Sequence, residues 1–333
     1  MPNARVGGPD SAGAGGAFTR GFLEHNLHGT NYATGEKGTP TDFVSFHAKG
    51  APVVFEGHVR MGLANQLRAI NDGFAIVASF PELKNTPIVI GESDPDGCAA
   101  CTAAVYPANN YRNGVLYASY TAASFGREQA LADRFGVNLE GALTWAFEFE
   151  DQPIFAGFRA LASSGIDLPV LNVFRMMSKM SGQRIATESS GEVALDTIMR
   201  SGVRSSPDVA ALAALDQNKL AVLVWHYHDD DVTGPEANVD LALSGLPAFV
   251  REAKLTHYRI DETHSNAFTA WQRMGSPAGP TLNQYRQLVT AGQLAQLGAV
   301  TPTIITGGSA SLKFALPRQA VSLLLLEWAG NPN

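Results

Sequence analysis

Short apolar segments alternate with helical patterns through the first half of the chain, and this alternation limits the fold more than any other feature. The clearest segment is PIVIGE at residues 87–92, a nearly all-apolar run typical of a strand covered on both faces. The other candidate strands are residues 5–9, 42–47 and 141–147, and the candidate helices are residues 18–27, 59–71, 116–135 and 170–180. Strands that alternate with helices at this spacing predict parallel β/α units.

The second half of the chain, from about Thr187, has a different pattern. Its candidate strands are residues 209–215, 220–228, 239–243, 254–260, 311–316 and 320–328, and residues 264–274 and 282–297 have helical or irregular patterns. Most of these strands lack long helical connections, which favours an antiparallel β-sandwich. We therefore expect two parts, residues 1–186 and residues 187–333, with the boundary in the region 182–191.

The charge balance argues against two classes of partner. The 333 residues hold 24 Lys and Arg against 31 Asp and Glu, a net charge of −7, whereas nucleic acids and anionic membranes attract a positive surface. No apolar run reaches the roughly 20 residues of a membrane helix, and residues 1–16 lack the pattern of a signal peptide. We expect no nucleic-acid partner and no membrane partner, and the compartment stays open.

The motifs predict neither a cofactor nor a metal. The glycine-rich residues 13–16 lack the Lys-Ser/Thr ending of a phosphate loop, and the Gly-x-Ser-x-Gly elbow of serine hydrolases does not occur. Cys98 and Cys101 have metal or redox spacing, but the chain has no second cysteine pair, so a loop thiol pair or a small disulfide is favoured. The run HYHDDD at residues 226–231 directly follows a strand, and we expect a solvated turn rather than a metal site.

Polar and aromatic side chains stand where three candidate strands end. Glu92 ends the apolar strand and His47 ends the strand DFVSFH. Trp145 lies in the last strand, which continues into alternating aromatic and acidic residues that include Glu150. In β/α barrels the carboxyl ends of the strands face the active site, where a Glu can serve as nucleophile or general base. A helix cap or solvated carboxylate is the alternative for Glu92, as are structural roles for His47 and Trp145 taken singly. Together these groups suit a neutral polyol such as a carbohydrate rather than a phosphate ligand.

The order of these motifs resembles glycoside hydrolase family 39, the family of β-xylosidases and α-L-iduronidases. Residues 5–9 (RVGGP), DFVSFH, PIVIGE and residues 143–151 (LTWAFEFED) resemble the family's fifth to eighth barrel strands. The β-rich tail resembles the family's C-terminal sandwich. The resemblance implies an α/β plus all-β fold, the C-terminal half of a (β/α)8 TIM barrel followed by an antiparallel β-sandwich.

The same resemblance implies a retaining glycoside hydrolase that acts on β-xylosides or related glycosides. Two carboxyl groups about 5 Å apart would flank the glycosidic bond. Glu92 would be the catalytic nucleophile, and His47 would bind a sugar hydroxyl and orient Glu92. Trp145 would form the floor of the sugar subsite, and Glu150 would accept hydrogen bonds from sugar hydroxyls.

The sequence departs from the family at the other catalytic group. The family's acid/base Glu lies in an Asn-Glu-Pro motif at the end of the fourth strand, and this motif does not occur in the 333 residues. Its counterpart would lie upstream of Met1. Ser93 and Lys49 stand where the family has Tyr. The resemblance places neither Glu148 nor Asp94 on the leaving-group side, so we expect no substitute acid, and losing the acid costs about two to four orders of magnitude in rate.

We therefore expect a truncated chain. A closed barrel typically takes about 250 residues, and a sandwich at residues 187–333 leaves only residues 1–186 for it. The expected partners are a carbohydrate and either a second copy of the chain or a missing N-terminal half, because an open half-barrel exposes apolar strand edges. The alternative is a catalytically inactive carbohydrate-binding remnant, or one half of a split enzyme.

Overall fold

The computed structural model describes residues 4–330. The strands are β1 (Gly7–Ser11), β2 (Phe43–Lys49), β3 (Val53–Phe55), β4 (His58–Arg60), β5 (Pro87–Asp94), β6 (Asn138–Ala142), β7 (Ala162–Ser163), β8 (Ile166–Asp167), β9 (Gln183–Ile185), β10 (Asp208–Asp216), β11 (Lys219–Tyr227), β12 (Ala237–Leu243), β13 (Glu252–Ile260), β14 (Ala295–Gln296), β15 (Thr301–Ile304), β16 (Ala310–Leu316) and β17 (Val321–Glu327). The helices are α1 (Gly16–His28), α2 (Leu63–Ala78), α3 (Val115–Phe135), α4 (Pro169–Ser178), α5 (Leu195–Ser201), α6 (Ala267–Arg273) and α7 (Leu282–Gly292). In this part of the chain no helix is both long and apolar enough to span a bilayer.

The first part of the chain is a parallel sheet with helices on one face. The strand order is β1-β2-β5-β6, and each neighbouring pair is parallel. Val44, Phe46, Ile88 and Ile90 are fully buried on the covered face, in one apolar cluster with side chains of α2 and α3. The predicted parallel β/α units are therefore confirmed. Within residues 4–330 the sheet is open, with β1 and β6 at its edges.

The second part of the chain is antiparallel. Its large sheet has the order β14-β13-β17-β11-β10-β9, and β15 also pairs with β13. The two-stranded sheet of β12 and β16 covers one face of it, where Phe314 joins the cluster of Val222 and Leu324. The opposite face, with Leu223 and Trp225, belongs to the same apolar cluster as α2 and α3. The α/β part and the β part therefore share one core.

The predicted strands of the second half are confirmed, each within two residues, by β10, β11, β12, β13, β16 and β17. Two predictions for the first half are wrong. Residues 59–71 are not one helix, because β4 ends at Arg60 and α2 begins at Leu63. Residues 141–147 are not a buried strand, because β6 ends at Ala142 and Leu143 beyond it is 52% exposed. As an edge strand, β6 pairs only with β5 and is not covered beyond that partner. The boundary between residues 186 and 187 stays a prediction.

The run at residues 226–231 is not the solvated turn that its composition indicates. His226 and Asp229 are almost fully buried because β11 lies inside the large sheet, between β10 and β17. Asp229 accepts a hydrogen bond of 2.7 Å from the Tyr227 hydroxyl, and Arg60 donates to Asp230 at 3.0 Å. Burial raises the pKa of Asp229 to about 6. These carboxylates are satisfied by partners that include one far away in the sequence, so the local pattern did not indicate their burial.

Helix α3 meets the large sheet at the buried indole of Trp225. The indole Nε1 donates to Asp208 at 2.9 Å, and the same carboxylate pairs with Arg127 of α3. Gly126 faces the indole, and a methyl group at this position would overlap the ring. The close approach of α3 to the sheet therefore depends on the missing side chain.

We expect Gly126→Ala to lower the free energy of unfolding by about 1–3 kcal/mol through overpacking, although Ala favours a helix over Gly by about 1 kcal/mol. Gly21→Ala on α1 is the matched control, because no described atom lies within 4 Å of the added methyl group. This control is expected to raise the free energy of unfolding by about 0.5–1 kcal/mol. Urea unfolding measures both, and equal effects of the two substitutions would contradict the contact.

Candidate active site

The charged side chains of β2 and β5 meet on the sheet face that the helices leave open. His47 and Lys49 are on β2, and Glu92 and Asp94 are on β5. The two strands are parallel neighbours, so their carboxyl ends lie at the same edge of the sheet. His47 pairs in register with Glu92, and Lys49 pairs with Asp94.

A bulge in β5 turns Glu92 to this open face. Phe46 of β2 lies opposite Ile90, but the next residue, His47, lies opposite Glu92, which leaves Gly91 without a partner in the register. Successive side chains of a strand point to opposite faces. Regular alternation would therefore place Glu92 on the helix-covered face with Ile90. The extra residue reverses the alternation, as bulges beside active sites do.

Glu92 lies between two cationic or ionisable groups of β2. The Nδ1 of His47 is 3.7 Å from Oε1 of Glu92, and the Lys49 ammonium contacts Oε2. The other ring nitrogen of His47 is 3.2 Å from the carboxylate of Asp10, although it makes no hydrogen bond to a described residue. The side chain of Glu92 is 16% exposed, so a ligand can still reach it.

Asp10 reaches this cluster because Gly91 has no side chain. A methyl group at Gly91 would overlap the Asp10 carboxylate. Asp10 itself adopts a left-handed backbone conformation, with φ of 51°, where β1 shifts its register against β2. The same glycine therefore turns Glu92 and makes room for the acid beside His47.

Asp94 joins β5 to the segment after β6. Its carboxylate is fully buried and accepts hydrogen bonds from Lys49 at 2.6 Å, from the Thr144 hydroxyl at 2.5 Å and from the Trp145 amide at 3.1 Å. Arg159 lies 3.5 Å from the same group. These charge-assisted hydrogen bonds fix the Asp94 carboxylate in place, so its observed role is structural.

Two buried arginines build the loop that follows β5. Arg112 donates to the carbonyl oxygens of Cys101 at 2.9 Å and Gly157 at 3.0 Å, and it pairs with Asp96. Arg159 donates to the Trp145 carbonyl at 2.8 Å. Cys98 and Cys101 form a disulfide in this loop. Within residues 4–330, no group of three or more His, Cys, Asp or Glu side chains could hold a metal ion.

The four residues predicted from the sequence do not all meet. His47 lies against Glu92, and Trp145 is connected to them through its backbone bond to Asp94. The Trp145 ring is 45% exposed. Glu150 instead lines a separate cavity of about 310 Å³ that Trp145 does not border.

Sequence reasoning missed four groups of this site: Asp10, Lys49 as a contact of Glu92, Asp94 as a hydrogen-bonded structural group, and Arg159. Asp10 and Asp94 each stand at a strand end, so the rule that found Glu92 could have found them. Arg159 had no local signal, because its partners are far from it in sequence.

Comparison with known proteins places the chain in a family. The model of the family described as "Glycosyl hydrolases family 39" matches residues 1–308. The chain belongs to glycosyl hydrolases family 39. This finding confirms the resemblance drawn from the strand motifs.

Curated relatives in the family include α-L-iduronidases and a β-xylosidase. The α-L-iduronidase of Homo sapiens is 26% identical, and the match covers 99% of this chain and 51% of that protein. The enzyme of Mus musculus is 26% identical, with 80% and 42% covered. The β-xylosidase of Caldicellulosiruptor saccharolyticus is 25% identical, with 43% and 26% covered. The chain thus spans about half or less of the length of these α-L-iduronidases, 51% for Homo sapiens and 42% for Mus musculus.

Solved structures agree with this fold. The bacterial orthologue of human α-L-iduronidase superposes with a TM-score of 0.78 at 19% identity, covering 98% of this chain and 56% of that chain. A monomeric β-xylosidase from Caulobacter crescentus CB15 superposes with a TM-score of 0.68 at 19% identity, covering 98% and 62%. Both likenesses show an α/β part followed by a β domain.

Ser93, one of the departures from the family pattern, points away from the site. Its hydroxyl donates to the Glu128 carboxylate of α3 at 2.6 Å and accepts from Gln66 at 2.8 Å. Ser124 also donates to Glu128, at 3.0 Å. Burial raises the pKa of Glu128 to about 7. Directly behind Glu92, the family 39 strand is thus anchored to α3 through a buried carboxyl group.

The pKa of Glu128 predicts a pH-dependent stability. Because its folded pKa of about 7 lies above the ordinary 4.5, the folded state keeps a proton that the unfolded state releases between these values. Stability should therefore fall as pH rises from about 4.5 to about 7, by about 3 kcal/mol. Glu128→Gln cannot ionise and should lack this fall.

Urea unfolding at pH 5 and pH 8 tests this prediction. For Glu128→Gln, the free energy of unfolding minus that of the unsubstituted chain should be larger at pH 8 than at pH 5. For Glu36→Gln, at an exposed position, the same difference should not change with pH. The same shift in both variants would show that Glu128 is not the group responsible.

Proposed function

We propose that this chain carries the nucleophile side of a retaining glycosidase. The observation that supports this most is the orientation of Glu92, which a bulge turns toward His47 at the carboxyl end of a buried parallel strand in a family 39 chain. In the retaining mechanism a carboxylate attacks the anomeric carbon, the glycosidic bond breaks, and a second carboxyl group gives its proton to the departing oxygen. Water, deprotonated by that second group, then releases the sugar from the nucleophile.

The groups around Glu92 have distinct proposed roles in this reaction. Lys49 contacts one carboxylate oxygen of Glu92 and His47 lies 3.7 Å from the other, and these two neighbours orient Glu92 for attack. His47 also binds a sugar hydroxyl, the Trp145 ring forms the floor of the subsite, and Glu150 accepts hydroxyl hydrogen bonds further out. Asp94 and Arg159 act as positioning residues, because they hold the backbone of Trp145.

The acid/base carboxyl group is proposed to come from outside these 333 residues. Asn-Glu-Pro does not occur in them, and Asp94 is already satisfied by its donors. Four parallel strands are half the number in a β/α barrel. We propose that β1, β2, β5 and β6 are barrel strands five to eight, with residues 1–186 as the partial barrel and residues 187–333 as the sandwich domain.

Two substrate classes are candidates. β-Xylosides are the first, as the family resemblance implies. A specific observation favours α-L-iduronides as the second: the Lys49 ammonium contacts Glu92 and Asp94, and its third N–H can donate to the carboxylate of a uronic acid, a group that a xylose ring does not have. The matched α-L-iduronidase of Homo sapiens also spans far more of this chain than the matched β-xylosidase.

Covalent trapping tests the role of Glu92 without the missing acid. The reagents are 2,4-dinitrophenyl 2-deoxy-2-fluoro-β-xyloside and 2-deoxy-2-fluoro-α-L-iduronosyl fluoride. Their leaving groups, dinitrophenolate and fluoride, depart with little need for protonation. We expect at least one of them to add one glycosyl unit, which peptide mass spectrometry should place on Glu92. Glu92→Gln should take up none, and Glu150→Gln should still be labelled. No label with either reagent would favour the alternative, an inactive carbohydrate-binding protein.

The ratio of the two labelling rates tests the substrate class. A charge-assisted hydrogen bond contributes about 1.5–3 kcal/mol, so Lys49→Gln should lower the rate with the iduronosyl reagent about tenfold or more relative to the xylosyl reagent. Using the ratio cancels the effect of Lys49 on Glu92 itself. An unchanged ratio would contradict a uronide substrate and leave β-xylosides.

A further inference from the structure

Three aromatic side chains stand at every second position of the segment after β6. They are Trp145, Phe147 and Phe149. The ring centroids are 6.0 Å and 6.1 Å apart, and Phe149 stacks on Phe158 at 4.2 Å. Trp145 and Phe147 are 45% and 44% exposed. We call Trp145, Phe147, Phe149 and Phe158 the aromatic row. Phe149 and Phe158 are partly buried, so two exposed rings adjoin a partly buried stacked pair. Apolar side chains grouped at the surface in this way often mark a binding site.

The aromatic row is held in place by its backbone. The Phe147 amide donates to the Arg159 carbonyl at 3.1 Å, and the Arg159 guanidinium donates to the Trp145 carbonyl at 2.8 Å. Arg159 is 2% exposed and therefore fixed by the surrounding protein. A platform that is ordered before binding loses little entropy when a ligand arrives.

The row connects the Glu92 cluster to the cavity that Glu150 lines. At its inner end the Trp145 amide donates to Asp94, which shares Lys49 with Glu92. At its outer end Phe149 and Phe158 line the cavity of about 310 Å³. This volume is at the lower end of the roughly 300–1,000 Å³ typical of small-molecule sites.

The lining of the cavity indicates the kind of ligand. Aromatic faces stack on the C–H face of a pyranose ring, and Glu148, Glu150 and Asp151 supply carboxylates that accept hydroxyl hydrogen bonds. The same carboxylates repel sulfate or carboxylate groups. The cavity therefore favours an uncharged sugar.

We infer that the outer part of the aromatic row, Phe147, Phe149 and Phe158, and the adjoining cavity form a second sugar subsite, which binds an uncharged pyranose unit of an oligosaccharide whose reacting unit lies at Glu92 on the Trp145 ring. This inference rests on the proposed function, because the first sugar is placed by Glu92. It adds a preference for oligosaccharides over single sugars, and for uncharged units over sulfated ones, at the outer position.

NMR titration of the 333-residue chain with xylose, xylotriose and sulfated xylotriose tests the subsite. We expect xylotriose to bind about tenfold or more tightly than xylose, and sulfated xylotriose to lose that gain. Phe147→Ala and Phe149→Ala should each weaken xylotriose binding about threefold to tenfold, the range of one aromatic contact, and leave xylose unchanged. Tyr32→Ala, which removes an aromatic ring that is 87% exposed on another surface, should change neither.

The possible failures are distinguishable. If Glu92 is labelled but xylotriose binds no more tightly than xylose, or not at all, the subsite is wrong and the glycosidase proposal stands. If Glu92 is not labelled but Phe147→Ala still selectively weakens xylotriose binding, the subsite stands without the reaction. A row that serves as a contact between chains would change the sedimentation coefficient in Phe147→Ala without changing sugar affinity, and this result would overturn the inference.

Discussion

The bulge at Gly91 decides which residues of β5 can meet a substrate. A strand that is covered by helices on one face needs apolar side chains at alternate positions, as Ile88 and Ile90 provide. If this alternation continued, Glu92 would enter the helix layer and Ser93 would face the open side. One unpaired residue reverses the order, so Glu92 joins His47 while Ser93 bonds to Glu128. The arrangement of the site and the anchoring of the strand both depend on this local shift.

Charge pairs with at least one fully buried side chain then join β5, the loop after it and α3 to other parts of the chain. Asp94 with Lys49, Asp96 with Arg112 and Asp208 with Arg127 each join segments far apart in sequence. A buried ion pair contributes little net stability compared with apolar residues of the same volume, but removing one partner costs several kcal/mol. Such pairs therefore specify one geometry more than they add stability. Asp94, Asp96 and Asp208 are among the acidic residues that give the chain its negative net charge. Some of the acidic charge therefore lies inside the protein and not on its surface.

Local periodicity and strand polarity predicted where the side chains of the candidate site lie only in part. Glu92 and His47 follow from strand ends, and their proximity follows from two parallel neighbours. The bulge could not be predicted, because a glycine in an apolar strand is compatible with regular pairing. For Lys49 the sequence indicated only that it stands where the family has Tyr, and not that it contacts Glu92. Arg159 depends on contacts more than ten residues away, and the carboxylates at residues 226–231 depend partly on Arg60, a partner that no local pattern encodes.

Dependence on distant contacts also explains why residues 141–147 were wrongly predicted to be a buried strand. Its sequence has the composition of a buried strand, but burial depends on what lies beside it, and in residues 4–330 β6 has β5 on one side only. Leu143 just beyond β6 and Val6 just before β1 are both more than half exposed. Arg5 and Glu140 form a two-bonded ion pair at 2.7 Å and 2.8 Å, but solvent screens an exposed pair, so it adds little stability.

The charged groups described around Glu92 lie on β1, β2 and β5, and each already has a partner of opposite charge or an ionisable neighbour. Retaining cleavage needs a second carboxyl group on the other side of the glycosidic bond, with a proton free to give. On the proposed function, such a group would project from the direction in which the sheet is open. On that proposal, the exposed apolar residues at the sheet edges and the lack of a second carboxyl group opposite Glu92 within residues 4–330 are two consequences of the same open geometry. A segment that paired with β1 and β6 would cover the first and could supply the second.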